Sequence, residues 1–463
     1  ADIDAGLANQ GNVYIQNQLG VTGSSSNSGE IAANTLTMAA LDNSGKVGAQ
    51  SASLGSTSNA GEITATTIDI SGGLSNTGAV SAGDSLTVSG GNTSNDGSIT
   101  GGSVSISGGS ISNGGQIQSS GAMQISGGSF ENRLQESKSC ALPGGCSTPD
   151  SYEYSQKPGT VSAGTTLSIN TSTAHNQGVI HAGTDITINS ALNNERSTND
   201  PYTSGGAEGA AVSGIISAGG NLTVTGASLQ NSGQLQAANA VQITTTGAFA
   251  NTAPSADVAG KVLGQSVQIT AGSVSNDGMV LAQAGDVQIT TTSGAIANQG
   301  SIVASGDLGL TAAGVVSNGK DGKLLAENIA IKGESFSNAG IVYGQNGPPS
   351  TISIETTGAF SNAATGVVIA GENLDIKAGG YSNAGGTVGS LQDASLTMAG
   401  TYAPAGNALV ALGSLDLNVG GISVGAGESW NVGSQDVRWT GTLHNQGTVA
   451  IAGNADGTIR NEA

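Results

Sequence analysis

The sequence predicts an all-β protein, a right-handed parallel β-helix (β-solenoid) with loop insertions at one corner. Three observations predict this fold class: a repeated unit built around Asn-x-Gly, strict alternation of apolar and polar residues within each unit, and an unusual composition. The chain has 463 residues, of which 76 are glycine, and only 3% of its residues are aromatic. Such a composition suits a narrow aliphatic core stacked from small repeats.

The repeated unit reads apolar-x-Asn-x-Gly-x-apolar, followed after a few residues by apolar-x-apolar. One copy contains Leu74, Asn76, Gly78 and Val80, and then Leu86. Alternation with period two indicates a strand with one buried face. Asn-x-Gly indicates a tight corner, because both residues tolerate positive φ. A unit this short cannot bury its own apolar face, so the units are expected to stack as coils.

The number of units predicts the dimensions of the stack. Neighbouring strands lie about 4.8 Å apart, so about 22 coils would make a rod roughly 100 Å long. The repeat is already running at Leu7-Ala-Asn9 and is cut off at Ile459-Arg-Asn461. We therefore expect the chain to be an internal piece of a longer protein.

The recurring asparagines occupy one position in almost every coil and should form a column. Stacked asparagines can hydrogen-bond to one another along such a column. Simple turn chemistry of single asparagines is the alternative, and neither interpretation assigns them a catalytic role. The predicted ladder includes Asn43, Asn59, Asn76, Asn95, Asn113, Asn298 and Asn338.

Insertions lengthen the distance from the marker asparagine to the next inward aliphatic residue. They all leave at the same corner, as expected where an insertion must not interrupt stacked strands. A shorter insertion follows Asn251. The predicted organisation is coils over 1–132, a loop over 133–160, coils over 161–194, a loop over 195–215, coils over 216–403 and less regular coils over 404–463.

The charge balance excludes some classes of function. There are 12 basic and 32 acidic residues, giving a net charge of −20. Nucleic-acid binding needs clustered basic residues, so it is not expected. No run reaches the length of about 18 apolar residues that a membrane span needs. The acidic surface favours solubility and disfavours side-by-side association, which predicts a monomeric rod.

Several units carry a family resemblance. SNAGEITATTIDISGG, SNTGAVSAGDSLTVSGG and NQGSIVASGDLGLTAAG resemble filamentous haemagglutinin repeats. Such repeats build the shafts of large bacterial exoproteins exported by two-partner secretion, among them adhesins, haemolysins and effectors of contact-dependent growth inhibition. The resemblance implies a secreted or cell-surface location and, during secretion, an outer-membrane transporter as partner.

The first loop contains Cys140 and Cys146 in the segment Cys-Ala-Leu-Pro-Gly-Gly-Cys. In a secreted chain, two cysteines within one short segment indicate a local disulfide. Two thiols alone do not complete a zinc site, and redox catalysis usually uses the shorter Cys-x-x-Cys spacing.

The loops are richer in tyrosine and arginine than the coils. Both residue types are enriched at protein contact patches, although the tyrosine rings could instead cover the underlying coils. A cell-surface protein or glycan receptor is the expected partner. The candidate contact residues are Arg133, Tyr152, Tyr154, Arg196 and Tyr202.

An enzyme is the competing class, because parallel β-helices include polysaccharide lyases and hydrolases. Those activities need carboxylates gathered on one face. Only Asp69, Asp375 and Asp416 are acidic in the outward positions of the apolar-x-apolar pairs, and coils separate them. The sequence predicts no catalytic residue, no cofactor and no metal site. The histidines, which are interpreted as outward corner residues, are His175, His181 and His444.

Both tryptophans lie in the C-terminal coils. Trp439 occupies an inward position, and Trp430 is either core filling or an outward platform for a glycan. The leading functional interpretation is a rigid extracellular shaft segment of an adhesin-like exoprotein that mediates or supports cell-surface contact. The alternatives are a receptor-binding section of a contact-dependent growth inhibition effector and a carbohydrate-active enzyme.

Overall fold

The computed structural model of the protein describes residues 1–140, 152–196, 213–255, 258–344 and 350–461. Within these ranges the regular secondary structure consists of β-strands. The same ranges contain no helix with the length and hydrophobicity that crossing a membrane requires.

Strands of one coil pair in parallel with the equivalent strands of the next coil. Lys323–Ala326 pairs with Ile341–Gly344, and Phe336–Asn338 pairs with Ala359–Asn362. The hydrogen bonds of each strand are thus satisfied by the coils on either side, which a unit of this size could not achieve alone. The predicted parallel β-solenoid is confirmed.

The chain divides into two compact units, Ala1–Asn239 and Ala240–Ala463. Both units are built of coils of the same kind. The strands of the first unit are Asp2–Ile3, Ala8–Asn9, Asn12–Asn27, Glu30–Asn43, Lys46–Asn59, Glu62–Ile70, Leu74–Asn76, Ala79–Ser89, Thr93–Asn95, Ser98–Gly101, Ser103–Asn113, Gln116–Ser119, Met123–Asn132, Leu134–Cys140, Tyr152–Pro158, Thr160–Ala163, Leu167–Asn176, Val179–Ala182, Ile186–Asn194, Ile215–Ala218, Leu222–Gly226, Leu229–Asn231 and Gln234–Ala237.

The second unit continues the pattern to the end of the described chain. In its C-terminal coils the register shifts between Leu417 and Gly421 and between Arg438 and Thr442. Its strands are Ala240–Thr245, Ala248–Asn251, Lys261–Gly264, Ser266–Ala271, Ser273–Asn276, Met279–Ala282, Val287–Thr291, Ile296–Asn298, Ser301–Ala304, Asp307–Thr311, Val316–Asn318, Lys323–Ala326, Asn328–Gly333, Phe336–Asn338, Ile341–Gly344, Thr351–Thr356, Ala359–Asn362, Val367–Ala370, Asn373–Lys377, Gly380–Asn383, Thr387–Ser390, Asp393–Tyr402, Val410–Ala411, Ser414–Val424, Ser429–Val432, Asp436–Asn445, Thr448–Ile451 and Asn454–Asn461.

The core consists of aliphatic columns that run from coil to coil. Ile331, Ile354, Ile376 and Leu396 occupy one register position in successive coils, and all four are fully buried. Their strand neighbours point outward and are polar or small, as the period-two pattern predicts. Each inward side chain therefore packs on its equivalents above and below.

The corner glycine is required for a reason that the sequence did not reveal. The expectation of positive φ is wrong for Gly115, whose backbone is outside the left-handed region. A Cβ atom on Gly115 would lie 2.1 Å from the carbonyl oxygen of Gly97 in the preceding coil. The glycine therefore permits close approach of two stacked corners rather than an unusual turn conformation.

Aromatic side chains form a second kind of column in the second unit. The ring centroids of Phe336 and Phe360 lie 5.8 Å apart, and Tyr381 follows at 5.4 Å from Phe360. Tyr402 continues the stack at 5.7 Å from Tyr381, and Trp430 lies 6.4 Å from Tyr402. These separations are typical of attractive aromatic pairs. The stack fills the corner of the core beside the asparagine column.

The end of this stack gives a prediction about alkaline pH. Burial raises the pKa of Tyr402 from 10.0 to about 12. Its hydroxyl donates to the Asn407 carbonyl oxygen at 3.2 Å and accepts from the Leu409 amide at 3.0 Å. The folded chain favours the protonated phenol. The contribution of Tyr402 to the free energy of unfolding is therefore complete below about pH 10 and is lost as the pH rises towards about 12.

We therefore expect Tyr402→Phe to lose less stability than the wild type when the pH rises from about 10 to about 12. Thermal melts of both proteins at several pH values in this window measure the difference. If Tm decreased equally in the two proteins, ionisation of Tyr402 would not be the cause of the lost stability.

Candidate interaction site at the Asn-x-Gly corner

The marker asparagines form a hydrogen-bonded ladder inside the corner. Asn113 is fully buried and accepts a hydrogen bond from the Nδ2 of Asn95 at 2.8 Å. The Nδ2 of Asn113 donates to the Oδ1 of Asn132 at 2.8 Å and to the carbonyl oxygen of Thr160 at 3.1 Å. Each asparagine side chain thus accepts a hydrogen bond from the preceding coil and donates one to the following coil.

The ladder includes the seven asparagines that the sequence analysis names as its members. In the first unit it runs through Asn9, Asn27, Asn43, Asn59, Asn76, Asn95, Asn113, Asn132, Asn176, Asn194 and Asn231. In the second unit it runs through Asn251, Asn276, Asn298, Asn318, Asn338, Asn362 and Asn383.

The ladder of the second unit stops where Pro404 replaces the marker asparagine. No asparagine occupies the marker position of the next coil, and the Nδ2 of Asn383 donates to the carbonyl oxygens of Gly386 and Ala408 at 2.9 and 3.1 Å. The backbone amide of Asn383 donates to the Oδ1 of Asn407 at 2.8 Å. An asparagine of the connecting segment thus accepts from the backbone of the last coil of the ladder and does not extend the column of side-chain amides.

The insertions leave the coil between the second residue and the glycine of Asn-x-Gly. Gly159 donates its amide to the carbonyl oxygen of Arg133 at 2.9 Å, so the first insertion is closed at its base. Gly260 makes the same bond to Thr252 at 2.8 Å. Gly214 keeps the corner position after the second long insertion, because its carbonyl oxygen accepts from the Gln234 amide at 2.8 Å.

This arrangement makes the inserted segments separable from the coil. The inserted residues are 134–158, 196–213 and 253–259. Joining the residue before each segment to the glycine after it would restore an ordinary Asn-x-Gly corner, such as the one at Asn113, Gly114 and Gly115.

Two further insertions of this type are too short to be singled out from the sequence. Gly322 donates to the carbonyl oxygen of Gly319, and Gly366 donates to that of Ala363, both at 2.9 Å. The signal was present as an extra two residues between the marker asparagine and the corner glycine in each coil. The corner therefore accepts insertions of several lengths with the same closing bond.

The first long insertion begins and ends as an antiparallel hairpin rather than an irregular loop. Leu134–Cys140 pairs with Tyr152–Pro158, with Cys140 opposite Tyr152 and Lys138 opposite Tyr154. The side chains of Tyr152 and Tyr154 are outside the described part of the structure. The predicted Cys140–Cys146 disulfide also lies outside the described residues, as does Tyr202 in the second insertion.

Arg133 at the base of the hairpin reaches back over the coils. Its guanidinium pairs with the carboxylate of Asp96, two coils earlier, and its Nε donates to the Ser112 hydroxyl at 3.1 Å. The guanidinium lies against Gly114, where a Cβ would come within 2.8 Å of the Arg133 Nη1 atom. Arg133 therefore fixes the base of the hairpin on the solenoid surface.

The second long insertion also has contacts at its base. The Oε2 atom of Glu195 lies 2.8 Å from His175 Nε2 and accepts from Gln177 Nε2 at 3.4 Å. The Arg196 amide donates to the Ser232 hydroxyl at 3.3 Å. His175 and Gln177 belong to the coil between the two long insertions. Polar contacts therefore connect that coil to the base of the second insertion.

The two tryptophans belong to the core, and the possible metal-binding side chains are not grouped together in the described residues. Trp430 and Trp439 are 3% and 6% exposed, so neither offers an outward platform for a glycan. Trp430 contacts Tyr402, and the Nε1 of Trp439 donates to the Thr458 carbonyl oxygen at 3.2 Å. Among the described residues, no three His, Cys, Asp or Glu side chains are grouped closely enough to hold a metal ion.

Comparisons with known proteins give two matches. The model of the haemagglutinin repeat family matches residues 153–226, 193–253, 255–364 and 369–461, which together cover more than half of the chain. The protein named Toxin CdiA, from Escherichia coli, is 27% identical over 268 residues. That alignment covers 51% of this chain but only 8% of the relative. No solved structure matches.

Proposed function

Because the chain belongs to the haemagglutinin repeat family, we propose that it is a rigid shaft segment of a large secreted bacterial exoprotein. In this proposal the coils hold other parts of the exoprotein away from the cell, and the corner insertions make contact with a receptor on another cell. Export would use an outer-membrane transporter, as in two-partner secretion.

The asparagine ladder is the observation that supports a rigid segment. Each buried amide is bonded to the coil before and the coil after, so the corner cannot open in one coil without breaking bonds in two others. Parallel strand pairing adds backbone hydrogen bonds on the other faces of the coils. Repeats of this kind derive their stability from the interfaces between neighbours.

The two long insertions are the best candidates for receptor contact in the first unit, because the coils from which they leave offer little to bind. From Thr64 onwards, outward positions of these coils are mostly Ser, Thr, Gly and Gln, which provide little apolar area. The two long insertions contain Tyr152, Tyr154 and Tyr202, and tyrosine is a common anchor of protein interfaces. Arg133 and Arg196 lie at their bases, and the pairing of Arg133 with Asp96 fits a positioning role for Arg133.

A receptor-binding section of a contact-dependent growth inhibition effector is the second candidate. The similarity to Toxin CdiA over 51% of this chain favours it. The chain spans only 8% of that relative, so the activity of the whole relative is not transferred to this segment. Saturable binding of the isolated chain to bacterial target cells would support this candidate over a spacer without a receptor.

We also propose that the coils have no catalytic activity. The outward position between Asp375 and Asp416 is occupied by Ser395, whose hydroxyl donates to Asp375. Asp69 belongs to the other compact unit. Release of reducing ends from a polysaccharide by the purified chain would overturn this proposal.

Removal of both long insertions tests the proposed contact site. The variant joins Arg133 to Gly159 and Glu195 to Gly214, which restores two ordinary corners. We expect its binding to whole cells to fall about tenfold or more, the equivalent of about 1.4 kcal/mol, because the tyrosine-containing surfaces are lost. Flow cytometry with fluorescently labelled chains measures the binding.

The matched control removes the shorter insertion instead, by joining Thr252 to Gly260. It makes the same change at the same corner and should leave both cell binding and Tm unchanged. Undiminished binding by the chain that lacks both long insertions would place the contact site on the coils.

A further inference from the structure

In the second unit, the strand that follows the Asn-x-Gly corner has an apolar side chain at its outward position in coil after coil. In Lys261–Gly264, Val262 is fully buried and Leu263 points outward and is partly exposed. The strand register places the equivalent residues directly above one another. This column, which we call the outer apolar stripe, consists of Leu263, Leu281, Val303, Leu325, Tyr343 and Ile369.

The fold itself does not require the stripe. In the first unit the same outward column is polar from Thr64 onwards, although the inward residues beside it are equally aliphatic. Its members include Thr64, Ser81, Thr100, Gln118, Ser162 and Gln236. Since polar residues serve this position equally well, consecutive large apolar residues there indicate a surface that is covered by a partner.

The stripe widens at its C-terminal end. The register continues through Gly389 to Val410, which is 51% exposed. Leu391 and Leu412, in the turns that follow these strands, are 49% and 56% exposed. From Leu263 to Val410 the stripe spans about 34 Å at the usual strand spacing. An apolar patch of that length and one to two side chains in width covers on the order of 400 Å², the size of the largest patches on soluble proteins, which are often functional.

Charges of opposite sign border the stripe. Lys261 and Lys323 lie at the start of their strands, on the edge nearest the corner. Glu327 directly follows the strand Lys323–Ala326 and lies on the opposite edge. In this coil, Lys323 therefore lies on one side of the outward Leu325 and Glu327 lies on the other side.

We propose that the outer apolar stripe binds a second copy of this chain, with the two copies parallel and related by a two-fold axis along the direction of coil stacking. Such an axis brings each coil against its own copy. Leu325 then packs on Leu325 of the other copy, and Lys323 faces Glu327 across the stripe in both directions. An axis perpendicular to the stacking direction would instead place the lysine edges together, so the charges select the parallel arrangement.

The size of the surface fits an isologous interface. A standard interface buries about 800 Å² on each partner, with an apolar centre and a polar rim. The stripe supplies the centre, and the charged edges with the neighbouring strand residues supply the rim. The net charge of −20 on each copy, from which the sequence analysis predicts a monomer, opposes this association. Salt screens that repulsion over about 10 Å at 0.1 M, so the dimer should become tighter as salt is added.

Sedimentation equilibrium of the full 463-residue chain tests the proposal. The wild type should form a dimer whose Kd decreases between low and moderate salt. Leu325→Glu should weaken the dimer by about tenfold or more, because it brings two carboxylates together in the centre of the interface. Gln118→Glu adds the same charge to the polar column of the first unit and should leave Kd unchanged. A monomeric wild type, or a dimer unaffected by Leu325→Glu, would overturn the proposal.

Cysteine cross-linking tests the orientation in a chain whose Cys140 and Cys146 are replaced by Ser. Leu325→Cys alone should form a covalent dimer on oxidation, because the parallel arrangement places this residue against its own copy. A mixture of Leu281→Cys and Ile369→Cys chains should give only homotypic dimers. Predominant heterotypic dimers would require antiparallel copies and would overturn the parallel arrangement.

Discussion

Replacing Phe360 by alanine should lower the free energy of unfolding by about 4 kcal/mol, within the range for buried phenylalanine truncations. Phe360 is fully buried and contacts Phe336 on one side and Tyr381 on the other. Strand pairing on both sides fixes the distance between the coils, so the neighbours cannot collapse into the space. Urea denaturation followed by circular dichroism measures the loss.

Phe360→Leu is the matched control for this substitution. It keeps much of the apolar volume and should cost roughly 1–2 kcal/mol, mainly through loss of the aromatic contacts. Equal losses for the alanine and leucine variants would mean that the cavity is not the cause and would contradict the stacked arrangement.

Replacing Asn113 by leucine should lower the free energy of unfolding by about 3 kcal/mol, because the substitution leaves buried polar groups without partners. The Nδ2 of Asn95 loses one of its acceptors and keeps the carbonyl oxygen of Gln116, whereas the Oδ1 of Asn132 and the carbonyl oxygen of Thr160 each lose a donor. Leucine has the same branching at Cγ and the same number of side-chain heavy atoms as asparagine, so the substitution leaves no cavity. The same denaturation experiment measures this change.

Thr87→Ala provides the comparison for the asparagine variant. Thr87 lies in an outward position between the buried residues Leu86 and Val88, and its removal should change stability by no more than about 0.5 kcal/mol. If the outward and ladder substitutions had equal effects, the assignment of inward and outward positions would be wrong.

The sequence was sufficient to predict the coils and the asparagine ladder because both depend on exact repetition. One residue type at one position of each unit must become a column once the units stack in register, as Asn95, Asn113 and Asn132 do. Alternation likewise determined the inward face of each strand. The bonds that connect one coil with the next follow directly from these two patterns.

The aromatic stack could have been predicted from the same repetition. Phe336, Phe360 and Tyr381 each stand two residues before a marker asparagine, and Tyr402 stands two residues before Pro404. Classifying residues only as apolar or polar concealed the column. The outer apolar stripe was missed for the same reason, because an alternating pattern assigns outward positions to polar residues without examining each one.

The sequence predicts insertions at one corner, but the exact point at which they leave the coil depends on backbone hydrogen bonds. Spacing gives the number of extra residues and not the side of the corner glycine on which they lie. The bonds from Gly159 to Arg133 and from Gly260 to Thr252 define that point. The hairpin pairing of Leu134–Cys140 was not recognisable because its residues are mostly polar on both faces.

We expect the coils of the first unit to keep their fold when the two long insertions are removed. Hydrogen–deuterium exchange with mass spectrometry tests this expectation directly on the chain that lacks residues 134–158 and 196–213. The strands that immediately follow the deleted segments, Thr160–Ala163 and Ile215–Ala218, pair with the coils on either side. Their amides should remain as protected as in the intact chain. Increased exchange in these two strands would show that the insertions hold the coils together and would contradict this expectation.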